Sequence, residues 1–229
     1  MAMGLERYRS TVAPYLDRWA GGFLSWSPNR LSWISVSLSI LAALTYALLP
    51  EARGLLPAAL PVLLLAIALL IFGGGVFDVL DGYVARKRHL DSRAGDFLDH
   101  VLDRYADLAL LLGIAASGLA DPVLCLLALA TLLLVSYMGT QAQAVGAGRL
   151  YGGLLGRADR LILLSGSALL LAFGFAVDLW APRADHVPLE FVVGGFPVTI
   201  LDLVMVYFLV AGQVTAISRA WTTWRSLTV

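Results

Sequence analysis

The feature that most constrains this chain is a series of apolar runs at about 31–50, 55–80, 97–118, 122–145, 159–180 and 196–218. Each is close to the roughly 20 residues needed to cross a hydrocarbon core as a helix. Lipid offers the backbone no water, so a spanning segment must satisfy its own hydrogen bonds, and runs of this length do so as helices. The pattern predicts an all-α integral membrane protein, a six-transmembrane-helix bundle. Composition agrees, with 59% hydrophobic residues, 14% charged residues and a mean hydropathy of +0.82, far from globular averages. Ahead of the first run, "LERYRSTVAPYLDRWAGGFL" (5–24) mixes aromatics and charges in helical spacing and predicts an N-terminal amphipathic interfacial helix. In "SPNRLSWIS", Ser27 is a helix cap and Pro28 suits the first helical position. No repeat interrupts the pattern, so residues 1–229 read as a single membrane domain. With their polar ends included, the spans become about 31–50, 55–88, 93–118, 122–145, 157–180 and 196–220.

The formal net charge is zero, so the chain lacks the basic field of a nucleic-acid binder and no nucleic-acid partner is expected. The distribution of charge says more than its sum. With the N-terminus inside, the connections near 51–54, 119–121 and 181–195 lie outside and hold only Arg53 and Arg183 of the sixteen Lys and Arg residues. The positive-inside rule then places both termini, and the connections at 81–96 and 146–160, in the cytoplasm, with the chain in the cell membrane. Cys125 is alone and reads as a packing residue.

Against this apolar background, "FDVLDGYVARKRHLDSRAGDFLDHVLDRYAD" (77–107) gathers seven aspartates at the end of the second run and the start of the third. Asp78 and Asp81 are three apart and Asp99 and Asp103 four apart, so each pair lies on one face of its helix. Antiparallel neighbouring helices would bring the four carboxylates into one pocket about a turn inside the membrane boundary. An ionised Asp there costs roughly 2.5–3.5 kcal/mol on insertion scales, so the cluster needs a compensating charge. An oxygen-only cage without Cys suits a hard divalent cation, Mg²⁺ or Mn²⁺, and four acids have room for two ions. Asp96 and Asp107 flank the cluster and read as structural or solvated, and His89 and His100 as an interfacial and a helix-surface residue.

Asp78, Asp81, Gly82, Ala85, Arg86, Gly95, Asp99 and Asp103 reproduce the signature D-x2-D-G-x2-A-R-x8-G-x3-D-x3-D, and on these residues the chain resembles the CDP-alcohol phosphotransferase family. With residue types used at roughly 5–10% each, eight fixed positions match by chance at a given start about once in ten billion. The resemblance implies an enzyme of phospholipid synthesis that takes a CDP-linked lipid, attacks its lipid-side phosphorus with an alcohol hydroxyl and releases CMP. It implies that Asp78, Asp81 and Asp99 hold the metals, and that Asp103 is the general base and also touches a metal. It further implies a CDP-binding face of Asp78, Asp81, Gly82, Ala85, Arg86 and Gly95, with Gly95 bringing the third helix near the second, and a homodimer.

The acceptor alcohol is read from the second inner connection, "GAGRLYGGLLGRADR". Arg149, Arg157 and Arg160 are three guanidinium groups within twelve residues, and their planar forks suit a phosphorylated polyol better than a neutral amino alcohol. "GRADR" resembles the start of the fifth span in family members that accept inositol phosphate. "GTQAQA" (139–144) departs from the bacterial ones, which carry basic residues near 139 and 141 where this chain has Gly139 and Gln141, and resembles archaeal members that act on CDP-archaeol. The expected reaction is therefore transfer from CDP-archaeol or CDP-diacylglycerol to inositol 1-phosphate, with glycerol 3-phosphate and serine as alternative acceptors. Two rivals use the same acids. A divalent-cation transporter needs carboxylates along a path across the membrane, whereas these all lie near one surface. An intramembrane prenyltransferase also binds diphosphate through Asp pairs and Mg²⁺, but has more spans and an Asn-led first motif.

Overall fold

The computed structural model describes residues 20–90, 92–148, 150, 153–180 and 187–228. Apart from residues 20–24, the interfacial helix expected over 5–24 lies outside the described residues, as does Arg149. Within that stretch Ala20–Phe23 form a 3-10 turn. The chain then runs through α1 (Pro28–Ala47), α2 (Leu49–Leu55), α3 (Leu60–Lys87), α4 (Arg93–Ala116), α5 (Pro122–Ala144), α6 (Arg157–Asp178), strands β1 (Phe191–Val193) and β2 (Phe196–Val198), and α7 (Ile200–Thr228).

Local chemistry accounts for the helix starts. Ser27 caps α1, its hydroxyl accepting from Arg30 N at 3.3 Å, with Pro28 at the first position. Ser92 does the same for α4 through Gly95 N at 3.0 Å, and Asp121 for α5 through Leu124 N at 2.9 Å. By length and composition α1, α3 with the turn from Pro57, α5, α6 and α7 are each apolar enough to cross a membrane. The third expected span forms as α4, but Arg93, Asp96, Asp99, Asp103, Arg104 and Asp107 make it amphipathic rather than uniformly apolar. The outer connection expected near 51–54 lies within the short helix α2, "LPEARGL". The last span begins at Ile200 rather than 196, because residues 191–198 fold back as a hairpin. Its two-residue turn, Gly194 and Gly195, has φ of 60° and 86°, values that favour glycine.

Around the bundle the neighbours run α6, α3, α1, α4, α5, α7, with α7 returning to α6. Sequence order suggested that α3 and α4 pack directly; instead each packs chiefly on α1. The reason is a stripe of small residues on α1, of the kind that lets membrane helices approach closely. On one side Ser35 Oγ donates to Gly74 O at 2.8 Å, and a Cβ on Gly74 would stand 3.2 Å from Ser35 O. On the other, a Cβ on Gly113 would stand 2.5 Å from Ala43 O, so α4 lies against α1 backbone to backbone.

The ends of the bundle are tied differently. At the end away from the acids, the buried Asp202 accepts from Asp121 N (2.7 Å) and Thr199 N (2.8 Å), and the Thr199 hydroxyl donates to Leu119 O (2.7 Å). This joins the α4–α5 turn to the start of α7 and satisfies backbone groups that a helix terminus leaves open. At the other end, Leu154 N donates to Thr215 Oγ1 (3.1 Å), which draws the α5–α6 connection onto α7. The core between is mostly aliphatic, with Leu64, Ile67, Ile71, Leu110, Ile114 and Leu164 fully buried beside the aromatic Tyr46 and Phe208.

Candidate active site

The helices α3 and α4 converge on one pocket because their acids sit near the turn that joins them. Arg88 N and Leu90 N donate to Val84 O and Ala85 O, and His89 takes a positive φ of 53°, so α3 stops at Lys87, less than two turns beyond its last acid, Asp81. A Cβ on Gly95 would meet Ser92 Oγ at 3.2 Å and Asn29 Oδ1 at 3.9 Å. The expected role of Gly95, bringing α4 toward α3, is therefore seen instead against the start of α1. A Cβ on Gly82 would meet Arg86 Nη1 at 3.1 Å, so this glycine makes room for the Arg86 side chain folded back along its own helix.

Carboxylate oxygens of Asp78, Asp81 and Asp99 all lie within 4.8 Å of one another, and ligand atoms of Asp99, His100 and Asp103 form a second group within the same limit. The fourth motif acid thus joins the first three through Asp99. His100, read from sequence as a helix-surface residue, is 42% exposed and has its Nδ1 3.9 Å from Asp99 Oδ2, at the edge of the cluster. Asp81 is the most buried of the cluster, 7% exposed, and receives a 2.6 Å hydrogen bond from Ser32 Oγ on α1. Nothing in the acid spacing pointed to Ser32; the available signal was the 3–4 spacing of small residues along the first span.

A cation faces these acids. The Arg157 guanidinium, at the first position of α6, lies with Nη1 2.5 Å from Asp78 Oδ1 and 3.7 Å from Asp99 Oδ1, and in contact with Asp103 Oδ1. Arg160, one turn on, is buried and paired with Asp107; Arg104 reaches the same Asp107 Oδ2 at 3.1 Å and Asp103 Oδ2 at 3.8 Å. Of the three arginines expected to grip an acceptor, one therefore meets the acids directly and one is set behind them. Arg219 of α7 is a basic residue the sequence reading did not single out for the site. Its Nη1 donates to Val135 O at 2.8 Å and lies 3.1 Å from where a Gly139 Cβ would stand, filling space beside a position where the sequence departs from the bacterial pattern.

Donor chemistry tests whether this pocket fits a metal. The donors are carboxylate oxygens with one imidazole at the edge, the set that Mg²⁺ and Mn²⁺ take. Asp103 Oδ1 is buried against the Arg157 guanidinium, so the acids already face a cation at the place where a divalent ion would balance them. The residues fit a divalent cation.

Apolar helices long enough to cross a membrane, with a carboxylate pocket at one end, define a multi-pass membrane protein with a cation site, and comparison with known proteins places its chemistry. Residues 26–184 match the CDP-alcohol phosphatidyltransferase family, and the chain belongs to that family. It is 37% identical over 113 residues to the archaetidylinositol phosphate synthase of Methanothermobacter thermautotrophicus, a match covering 49% of this chain and 56% of that protein. It is 37% identical over 118 residues to the phosphatidylinositol phosphate synthase of Streptomyces avermitilis, covering 49% of this chain and 45% of that one. The chain thus spans about half the length of these curated relatives. The fold resembles the crystal structure of Mycobacterium tuberculosis phosphatidylinositol phosphate synthase with CDP-DAG bound, with a TM-score of 0.63, 26% identity, and coverage of 95% of this chain and 94% of that one. The same enzyme has been crystallised with manganese and citrate.

Proposed function

We propose that this protein transfers the phosphatidyl-type group of CDP-archaeol or CDP-diacylglycerol to a hydroxyl of inositol 1-phosphate and releases CMP. The observation that carries the reading is the placing of Arg157 against Asp78, Asp99 and Asp103, which sets an anion-binding guanidinium beside a phosphoryl-transfer pocket. Asp78, Asp81, Asp99 and Asp103 hold Mg²⁺ or Mn²⁺, as two ions, which when bound neutralises the diphosphate and the departing CMP phosphate. Ser32 fixes the rotamer of Asp81. Gly82, Ala85, Arg86 and Gly95 line the approach of the cytidine nucleotide, the three small residues keeping the backbone open to it and Arg86 offering a guanidinium to a phosphate.

The acceptor phosphate is gripped by Arg157, with Arg160 and Arg149 completing the site; its hydroxyl then points at the lipid-side phosphorus. Asp103 takes the hydroxyl proton as the new oxygen–phosphorus bond forms and the bond to the CMP oxygen breaks. The basic inner connections support a cytoplasmic site in the cell membrane with α4 as the third of six spans, and the family resemblance supports a homodimer. CMP release tests the reading. Inositol 1-phosphate, glycerol 3-phosphate, serine and inositol are each offered with CDP-archaeol and with CDP-diacylglycerol. Release with inositol 1-phosphate and not with inositol is expected. Release with serine or glycerol 3-phosphate alone overturns the acceptor, and release with none overturns the chemistry.

A further inference from the structure

Asp107 lies one turn deeper than Asp103 on the same face of α4, is 9% exposed, and belongs to neither group of potential metal ligands. A buried carboxylate outside the acid cluster needs a reason, and its contacts supply one. Its Oδ2 meets Nη1 of Arg160 and Nη2 of Arg104. Helices α4 and α6 are not neighbours around the bundle, so this pair spans the pocket between them. Arg160, 8% exposed, spends Nη1 on Asp107 and Nε on Gly156 O at 3.4 Å. Its Nη2 meets no acceptor among the described residues. Arg157, three residues earlier and on the same side of α6, is the guanidinium that meets the motif acids.

We infer that Asp107 is a positioning residue: it anchors Arg160 so that the Nη2 edge stays available beside Arg157 for the acceptor phosphate. This rests on the acceptor reading given above. Without the Asp107 charge, the Arg160 fork loses the partner that fixes its plane, and Asp103, the next carboxylate on that face, becomes its alternative partner. The consequence is a weaker grip on phosphate rather than on the nucleotide.

The test uses the full chain in detergent and two readouts, inorganic phosphate binding by calorimetry and the Michaelis constants for inositol 1-phosphate and the CDP-lipid. Asp107→Asn should weaken phosphate binding and raise the acceptor constant by about tenfold or more, the worth of a charge-assisted hydrogen bond, while the CDP-lipid constant changes little. Asp107→Glu should recover most of the binding. Because a lone buried Arg160 can unfold the single variant, the pair Asp107→Leu with Arg160→Met removes those two charges together, a change that buried pairs tolerate, and leaves Arg104 to Asp103. It should melt near the wild type and still bind phosphate weakly. Wild-type phosphate affinity in Asp107→Asn or in the folded double variant overturns the proposal, as does a wild type that binds no phosphate. A wild type that binds phosphate but releases no CMP with inositol 1-phosphate sinks the acceptor reading alone, and the variants' phosphate affinities still decide the role of Asp107.

Discussion

Replacing Ser32 by Ala removes one hydroxyl, and the structure says where the loss is felt. Ser32 is 8% exposed and its hydroxyl carries one proton with two acceptors in reach, Asp81 Oδ2 at 2.6 Å and Pro28 O at 3.2 Å. The shorter, charged acceptor takes it. A hydrogen bond to a charged group is worth about 1.5–3 kcal/mol, and outer-shell partners of metal ligands typically change metal affinity or activity by about 10–100-fold. Ser32→Ala should therefore raise the concentration of Mn²⁺ needed for half-maximal CMP release by about tenfold or more. Direct Mn²⁺ binding, followed by electron paramagnetic resonance without substrate, should weaken in parallel. Ser35→Ala is the matched control, since it deletes an equally buried hydroxyl on the same helix whose partner is Gly74 O rather than an acid. It should lower the melting temperature and leave the metal dependence alone. Ser32→Ala with wild-type Mn²⁺ affinity, or Ser35→Ala with the same loss of affinity, would refute the idea that Ser32 acts on the site through Asp81.

Asp78→Asn, Asp81→Asn and Asp99→Asn should each abolish CMP release while the protein still elutes as a folded species in size-exclusion chromatography, because each deletes a ligand charge at the phosphoryl centre. Asp103→Asn should lower the catalytic constant by roughly two to four orders of magnitude with CDP-lipid affinity kept within several-fold, the usual worth of a general base; loss of Mn²⁺ and CDP-lipid together would make it a ligand instead. Arg157→Ala should raise the Michaelis constant of the phosphorylated acceptor far more than that of the CDP-lipid, and equal rises would assign it a structural role. Gly113→Val should destabilise by about 1–3 kcal/mol or more, since its Cβ would stand 2.5 Å from Ala43 O and backbone cannot yield as a side chain can. Gly166→Ala, with nothing within 4 Å, is the control in the same thermal melt and should be neutral or stabilising.

What was legible from the sequence is what local geometry decides. Ser27 and Pro28 start α1 because capping is a matter of three neighbouring residues, and the pairs Asp78/Asp81 and Asp99/Asp103 share faces because helical spacing puts them there. The partners of those acids were not legible in the same way. Ser32 and Asp81 are 49 residues apart and Arg160 and Asp107 are 53 apart, and neither distance leaves a periodic trace. Asp107 was read as structural or solvated; the first of these describes its buried ion pair, and Asp96 is exposed. The hairpin at 191–198 did have a local signal, two adjacent glycines between apolar triplets, but the first triplet falls in the outer connection at 181–195 and the second in the run from 196, so the reading divided the hairpin.

The order of helices around the bundle was illegible for a deeper reason. In lipid an apolar face gains little by meeting another apolar face, so hydropathy locates spans without saying which of them touch. Small residues carry that information. On α1 the buried positions Ser32, Ser35, Ser39, Ala42, Ala43 and Tyr46 recur at helical spacing, and both α3 and α4 settle on that side. The same stripe that lets Gly74 and Gly113 come close ends, at the pocket, in the hydroxyl that holds Asp81. Packing and chemistry are therefore set by one surface: the serines that make α1 narrow enough to seat two helices also bring a donor to the most buried acid. That is why the site is assembled on the first helix although its acids lie on the third and fourth.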